Sequence, residues 1–300
     1  MARRAAVGVT VAFGIQGSGQ LVGGTPDPGF FREVAQAAEE LGYDSIWGGE
    51  HISYRNPILD VVVALSTFAA VTERITVGAG VVLLPLRHPS IVAKAFASLD
   101  YVSGGRVVLG VGVGGEGEKD FEAVGVDRRE RGARADEALR VLRALFAGGE
   151  ASFSGRFFSF DGIRIEPEPA QSGGPPLWVG GRSEAAIRRA ARLGDGWMPI
   201  WVSPRRFAEG CAQLPDHIAR AVTLPAHVGD KRRLYEHLRQ RYSGDFGEHV
   251  VDRYCVAGTP EECAARVREY VDAGAQHIVF NVAEPQDAER LAEVAFAAAR

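Results

Sequence analysis

The sequence is poor in the features that announce most specialised classes. It holds 3 cysteines in 300 residues, Cys211, Cys255 and Cys263, with no C-x-x-C pair. That odd, scattered set suits reduced thiols in a cytosolic protein rather than a disulfide frame. No apolar run reaches the length of about 18 residues that a membrane span needs. Positive charge is not in excess: the net charge is -4, against the footprint of a nucleic-acid or polyanion binder. No H-x-H pair and no spaced carboxylates offer the ligands of a metal-dependent hydrolase, and no metal is expected. There is no low-complexity segment, no interdomain linker and no composition shift between halves, so residues 1–300 read as one domain. The opening "MARRAAVGVTVAFGIQGSGQ" carries two arginines before an apolar stretch, but it is short, β-rich and followed by glycines. It reads as a first strand rather than a secretory leader.

What the chain does have is alternation. Short β-type runs precede helical patterns: strand Val7–Phe13; a helix from Asp27 as cap through Pro28 to Gly42; strand Asp44–Gly49; helix Ile58–Thr72; strand Arg74–Leu84; helix Ser90–Val102; strand Arg106–Val113; helix Glu130–Phe146. The rhythm breaks over 151–176, where aromatic and polar residues alternate around Gly155 and Gly162, a hairpin insertion ending in a proline-rich connector. It resumes with strand "LWVGG", helix Ser183–Leu193, strand "DGWMPI", a helix capped by Ser203, and a weaker strand Ala221–Val228. Two helices follow, the second opened by a Thr259/Glu262 capping box, then strand His277–Val282 and helix Asp287–Ala298. Eight βα units point to a closed α/β TIM barrel, a (β/α)8 fold, with an open doubly wound sheet as the rival.

Gly110, Gly112 and Gly115 spell G-x-G-x-x-G after an apolar run. A dinucleotide turn needs a helix opening at the third glycine in the first βα unit. Here the unit is the fourth, and the next strong helix starts well downstream. Three strand ends are glycine-rich, "VGAGV", "GVGVGG" and "WVGGRS". Glycines at several C-terminal strand ends suggest one surface where backbone approaches a large flat ligand. Gly180 and Gly181 end a strand, Ser183 can cap the next helix, and Arg182 adds charge, which together form an anion site at a helix N-terminus.

The segments "AEELGYDSIWGGEH", "ERITVGAGVVLLPLRHPSIVAKAFASLDYVSGGRVVLGVGVG", "ERGARADEALRVLRALF", "FSGRFFSFDGIRIEPEP", "PPLWVGGRSEAAIRRAARLGDGWMP" and "YCVAGTPEECAARVREYVDAGAQHIVF" occur in order. Together they resemble the bacterial luciferase-like monooxygenase and coenzyme F-420-dependent oxidoreductase superfamily. The resemblance covers nearly the whole chain, least well over Cys211–Gly247. It implies a single luciferase-like (β/α)8 barrel that holds FMN or the deazaflavin F-420 at the C-terminal ends of its strands. It places a non-proline cis peptide at Gly80-Val81, with Ala79-Gly80 as fallback, so Ala79, Gly80 and Val81 support the ring. Gly112, Val113 and Gly114 match the strand end along the ring edge, and Gly180, Gly181, Arg182 and Ser183 match the phosphate loop.

His51, in "GGEH", matches a ring-facing histidine and is the first candidate for catalysis. Glu50 is either a second catalytic candidate or a salt-bridge partner. A glutamate that serves as an acid in related sugar-phosphate dehydrogenases falls nearest to Glu116, one residue off the aligned Gly115. Arg87 and His88 match loop-organising positions. The run "DRRERGAR" is either the solvated start of a helix or a contact for the anionic tail of F-420. Trp47, Trp178, Trp197 and Trp201 gather near strand ends and are candidate pocket walls, with Trp178 better read as core.

The resemblance thus implies a cytoplasmic oxidoreductase that uses F-420 to pass a hydride to or from a small organic substrate. One alternative is a monooxygenase using reduced FMN, which a separate reductase supplies. A further alternative is a non-catalytic flavin-fold binding protein. A small-molecule substrate and a homodimer are expected, with no nucleic-acid or membrane partner.

Overall fold

The computed structural model describes residues 11–18, 24–115, 117–242, 247–283 and 286–298. Its strands are β1 (Ala12–Ser18), β2 (Ser45–Gly48), β3 (Thr76–Leu83), β4 (Val107–Gly112), β5 (Ala151–Ser154), β6 (Ser159–Ile163), β7 (Leu177–Gly180), β8 (Gly196–Met198), β9 (Ala219–Val228), β10 (Val256–Gly258) and β11 (His277–Val282). The helices are α1 (Phe30–Glu40), α2 (Val61–Val71), α3 (Pro89–Ser103), α4 (Glu118–Ala123), α5 (Arg131–Phe146), α6 (Glu184–Leu193), α7 (Pro204–Cys211), α8 (Lys231–Arg241), α9 (His249–Tyr254), α10 (Pro260–Asp272) and α11 (Asp287–Ala298).

Nine strands form the main sheet, in the order β10-β9-β11-β1-β2-β3-β4-β7-β8, and β8 pairs back onto β9. Setting aside the three-residue edge strand β10, the other eight close a parallel barrel. Every residue of β2, β4, β7 and β8 is buried, as expected of parallel strands covered on both faces. One apolar layer lies between the strands and the helices. A second fills the barrel interior, where Trp47 stacks on Trp178 with centroids 5.3 Å apart. Burying side chains of this size contributes roughly 1.5–3 kcal/mol each. Trp47 Nε1 donates to Ser45 Oγ at 2.7 Å, and Ser45 Oγ lies 2.6 Å from His277 Nε2, a chain of three polar groups inside the barrel.

Helix starts follow local chemistry. Ser183, Ser203 and Asp60 accept from first-turn N–H groups of α6, α7 and α2, and Thr259 with Glu262 closes the capping box on α10. β5 and β6 pair antiparallel as a separate two-stranded sheet. The buried Glu137 of α5 fastens their turn, accepting N–H bonds from Arg156, Phe157 and Phe158 at 2.8–3.0 Å.

The structure corrects several element boundaries. The first strand is Ala12–Ser18, not Val7–Phe13, and residues 7–10 lie outside the described set. Asp27 does not cap α1; its carboxylate accepts from Gly29 N at 2.7 Å in a turn, and the helix starts at Phe30. The strand read as weak is the longest, 10 residues, because Pro225 and His227 interrupt its apolar signal but not its pairing with β11 and β10. Between it and β11 lie three helices and a short strand, not two helices. Two further short segments, α4 and a 3-10 turn at Arg128–Glu130, sit where a loop was expected. The three cysteines are free and buried. No helix among the described residues is long and apolar enough to cross a membrane.

Candidate functional site

The C-terminal strand ends open into a cleft of about 400 Å³. Its lining comes from every barrel strand or the segment that follows it. Gln16 arrives from β1, Glu50 and His51 after β2, Gly80, Val81 and Leu83 from β3, and Gly112 to Gly115 at the end of β4. Gly180 to Arg182 follow at β7, Ile200 and Trp201 after β8, Thr223 in β9 and Asn281 in β11. Ile58, Arg241 and Tyr242 complete the mouth.

One wall is built by close approach. The β3–β4 register slips between Ala79 and Val82, and the Gly80-Val81 peptide inside this bulge is cis. A Cβ at Gly110 would lie 2.0 Å from the Ala79 carbonyl oxygen, and one at Gly112 would lie 2.6 Å from Val81 Cγ2. The G-x-G spelling therefore makes room for the bulge of the neighbouring strand. Above it, Val81 presents an apolar knob to a surface of bare backbone, a cradle suited to one face of a planar ring.

Beyond this wall, Gly181 has φ +103 and precedes Ser183, whose Oγ accepts from Ala186 N. Trp197 Nε1 donates to the Gly181 carbonyl at 2.9 Å, and Arg182 Nη1 donates to the Trp201 carbonyl at 3.0 Å. The first N–H groups of α6 and its dipole face this end of the cleft, where they can hold an anion.

His51 stands across the cleft. Its Nδ1 lies 2.8 Å from Oδ2 of Asp120, a residue of α4 that is 1% exposed. Asp120 Oδ1 already accepts from Ile52 N and Ser53 N, at 2.9 and 2.8 Å. A carboxylate in that setting accepts, so Nδ1 carries the proton and Nε2 is left for other work. Tyr54 stacks on the imidazole with centroids 4.1 Å apart.

Glu50 is differently engaged. It is buried, its Oε2 accepts from Leu83 N at 2.7 Å, and its Oε1 accepts from Arg87 Nε at 2.6 Å. Arg87 also pairs with Asp60, the cap of α2. Glu50 thus ties the loop after β2 to the end of β3. His88 caps α3 and meets Phe158 edge-on.

Of the residues singled out from sequence, the cleft brings together Glu50, His51, Gly80, Val81, Gly112, Val113, Gly114, Gly180, Gly181 and Arg182. Ala79 is fully buried beneath the wall, and Ser183 spends its hydroxyl on the helix cap. Glu116 lies outside the described residues. Trp201 lines the cleft, whereas Trp47, Trp178 and Trp197 are core. In "DRRERGAR", Arg128 Nη2 donates to the Gly115 carbonyl at 2.8 Å, and Arg129 pairs with Asp127. Sequence reasoning missed Asp120, Tyr54, Arg241, Tyr242, Thr223 and Asn281. Only Asp120 had a usable signal, an acid just after a glycine-rich strand end.

Comparison with known proteins agrees with this architecture. Residues 7–230 match the luciferase-like monooxygenase family. An uncharacterized protein of Mycobacterium tuberculosis is 35% identical over 189 residues; the match spans 56% of this chain and 64%, under two thirds, of that protein. An F420-dependent glucose-6-phosphate dehydrogenase of Kineococcus radiotolerans is 28% identical over 306 residues, covering 88% of this chain and 89% of its own. Among solved structures, an F420-dependent secondary alcohol dehydrogenase in complex with an F420-acetone adduct superposes with TM-score 0.83 at 21% identity, over 97% of this chain and 99% of that one.

Proposed function

The chain belongs to the luciferase-like monooxygenase family, and we propose on that premise that it is an F-420-dependent oxidoreductase acting on a small organic substrate. The main support is the wall at β3 and β4, where the Val81 knob and the bare backbone of Gly80 and Gly112 offer an apolar face to a tricyclic ring. Relatives that cover nearly the whole chain, such as the Kineococcus enzyme, carry F420 in their names, which favours the deazaflavin over FMN. When bound, a deazaflavin supplies or accepts a hydride at C5.

The chain's own residues take the remaining tasks. Gly180, Gly181 and Arg182 hold the phosphate against the α6 N-terminus. Gly112, Val113 and Gly114 bound the ring edge. His51, its Nδ1 proton committed to Asp120, takes up or returns at Nε2 the proton that accompanies hydride transfer at the substrate carbon. Glu50 positions this loop and the end of β3. Walls of Leu83, Ile58 and Trp201 exclude water from the reacting carbon.

Titration of purified protein with F-420 and with FMN, read by ring fluorescence, tests the reading. F-420 is expected to bind at least tenfold more tightly, a difference of about 1.4 kcal/mol. Tighter FMN binding would transfer the proposal to a reduced-FMN monooxygenase.

A further inference from the structure

The mouth of the cleft carries a buried charge that no described residue pairs. Arg241 ends α8, lines the cleft and is 6% exposed. Its Nε is buried without a hydrogen-bond partner, and its guanidinium makes no ion pair with any described residue. Its guanidinium lies against the Tyr242 ring, 5.6 Å from Cζ to centroid. Arginine is almost never buried unless paired, because stripping water from the cation costs several kcal/mol.

No described carboxylate is left to pair with it. Among the described residues, Glu50 is committed to Arg87, Asp120 to His51 and the buried Asp287 to His227. His237, one turn earlier on α8, also leaves its buried Nε2 without a partner. Burial, and then the charge of Arg241, push His237 down to about 4 against the pull of Asp287, so His237 is neutral at neutral pH and adds no charge beside Arg241. The other groups here are neutral: Thr223, and Asn281, whose Nδ2 donates to Tyr242 Oη at 3.1 Å. Tyr54 ties the end of α8 to the catalytic candidate, since its ring stacks on His51 while its hydroxyl donates to the Arg241 backbone carbonyl at 3.2 Å.

We propose that Arg241 anchors the substrate: the cleft takes a small organic molecule bearing a carboxylate or phosphate, its oxyanion seated on Arg241 and its reacting carbon toward His51. The inference rests on the oxidoreductase reading for the word substrate, but the anion site itself does not. A planar guanidinium matches either oxyanion with paired N–H donors. The cofactor phosphate is assigned to the loop at Gly181 and Arg182, whose Arg182 is spent on the Trp201 carbonyl, which leaves Arg241 for the second reactant.

Thermal denaturation of the F-420-saturated protein, with inorganic phosphate and with acetate as probes, tests this while the phosphate loop is filled. At least one anion should raise the midpoint of the parent protein, and which one does so assigns the class. Arg241→Met should weaken that response at least tenfold, and without anion it should be as stable as the parent or more so, because the lone buried charge is gone. Arg241→Lys, which keeps the charge but not the paired donors, should respond more weakly than the parent and more strongly than Arg241→Met. F-420 affinity, read separately by fluorescence, should be unchanged in both variants. The proposal is overturned if Arg241→Met responds to anions as the parent does, if it is less stable with the anion response intact, or if it loses F-420 affinity. The same comparison on unloaded protein still reads Arg241 should F-420 fail to bind, so the two readings fail separately.

Discussion

His51 and Asp120 are 69 positions apart and follow different barrel strands, yet their side chains meet at 2.8 Å, Nδ1 to Oδ2. The contact sets the imidazole tautomer and fixes the ring plane. Replacing His51 by Ala should lower turnover by roughly 10²–10⁴, the range for a positioned acid or base. Asp120→Asn should lower turnover less, while also loosening the loop at Ile52 and Ser53. Single-turnover oxidation of the reduced cofactor, beside a cofactor titration, separates these effects. Turnover at the parent rate in His51→Ala would move the proton-transfer role elsewhere.

Gly181 is required twice over. Its φ of +103 is strained for any L side chain, and an added Cβ would lie 3.2 Å from that of Ala186. Gly181→Leu should therefore reshape the turn that Trp197 anchors and weaken cofactor binding at least tenfold, about 1.4 kcal/mol. Equal affinity in a folded Gly181→Leu protein counts against this loop as the phosphate site.

Glu50 acts on the same cleft through the loop it fastens. Changing it to Ala removes the acceptor of Leu83 N and leaves Arg87 with Asp60 alone. The expected loss of stability is on the order of 3 kcal/mol, as for breaking a buried ion pair. Denaturant unfolding reads it. Loss of turnover at unchanged stability would instead argue for a direct catalytic part.

Acid should weaken the fold through two buried histidines. Burial holds His277 and, with Arg241, His237 down to about 4, against an ordinary value of 6.5. As pH falls through that window the unfolded chain takes up protons that the native chain refuses. Each histidine then costs about 1.4 kcal/mol per pH unit. Carboxylates such as Glu39, whose burial is outweighed by three backbone N–H donors, join only below their ordinary 4.5. Urea midpoints between pH 7 and pH 5 should fall, and His237→Gln should flatten the slope. A flat profile in the parent protein would contradict the burial.

Much of this was legible before the structure. β-type runs ending in glycine located the barrel strands, and "GGEH" and "VGGRS" located two sides of the cleft. What hid the rest is physical. Asp120 sits in "EGEKDFEAVG", a stretch whose charges look solvated until the chain folds its carboxylate against His51 and two backbone N–H groups. Arg241 and Tyr242 close a helix so polar that nothing in its pattern separates the one buried arginine from its exposed neighbours Arg232 and Arg239. β9 was undervalued because Pro225 and His227 read as breakers, although its partners on both sides supply the pairing that sequence cannot show. The purpose of Gly110 was misplaced for a similar reason: its constraint comes from Ala79, on another strand.

That constraint divides the cleft into parts with different evolutionary freedom. At Gly110 and Gly112 any side chain collides with the backbone or the knob of β3, so this wall is inherited whole or lost with the fold. The mouth formed by Arg241, Tyr242 and the loop at Tyr54 is joined by side-chain bonds to helix-end carbonyls, contacts that other residues can replace. A lineage can therefore exchange the molecule it transforms while keeping the surface against which the transformation happens. In a laboratory selection for new substrates, accepted changes should accumulate at the mouth and leave the strand glycines untouched.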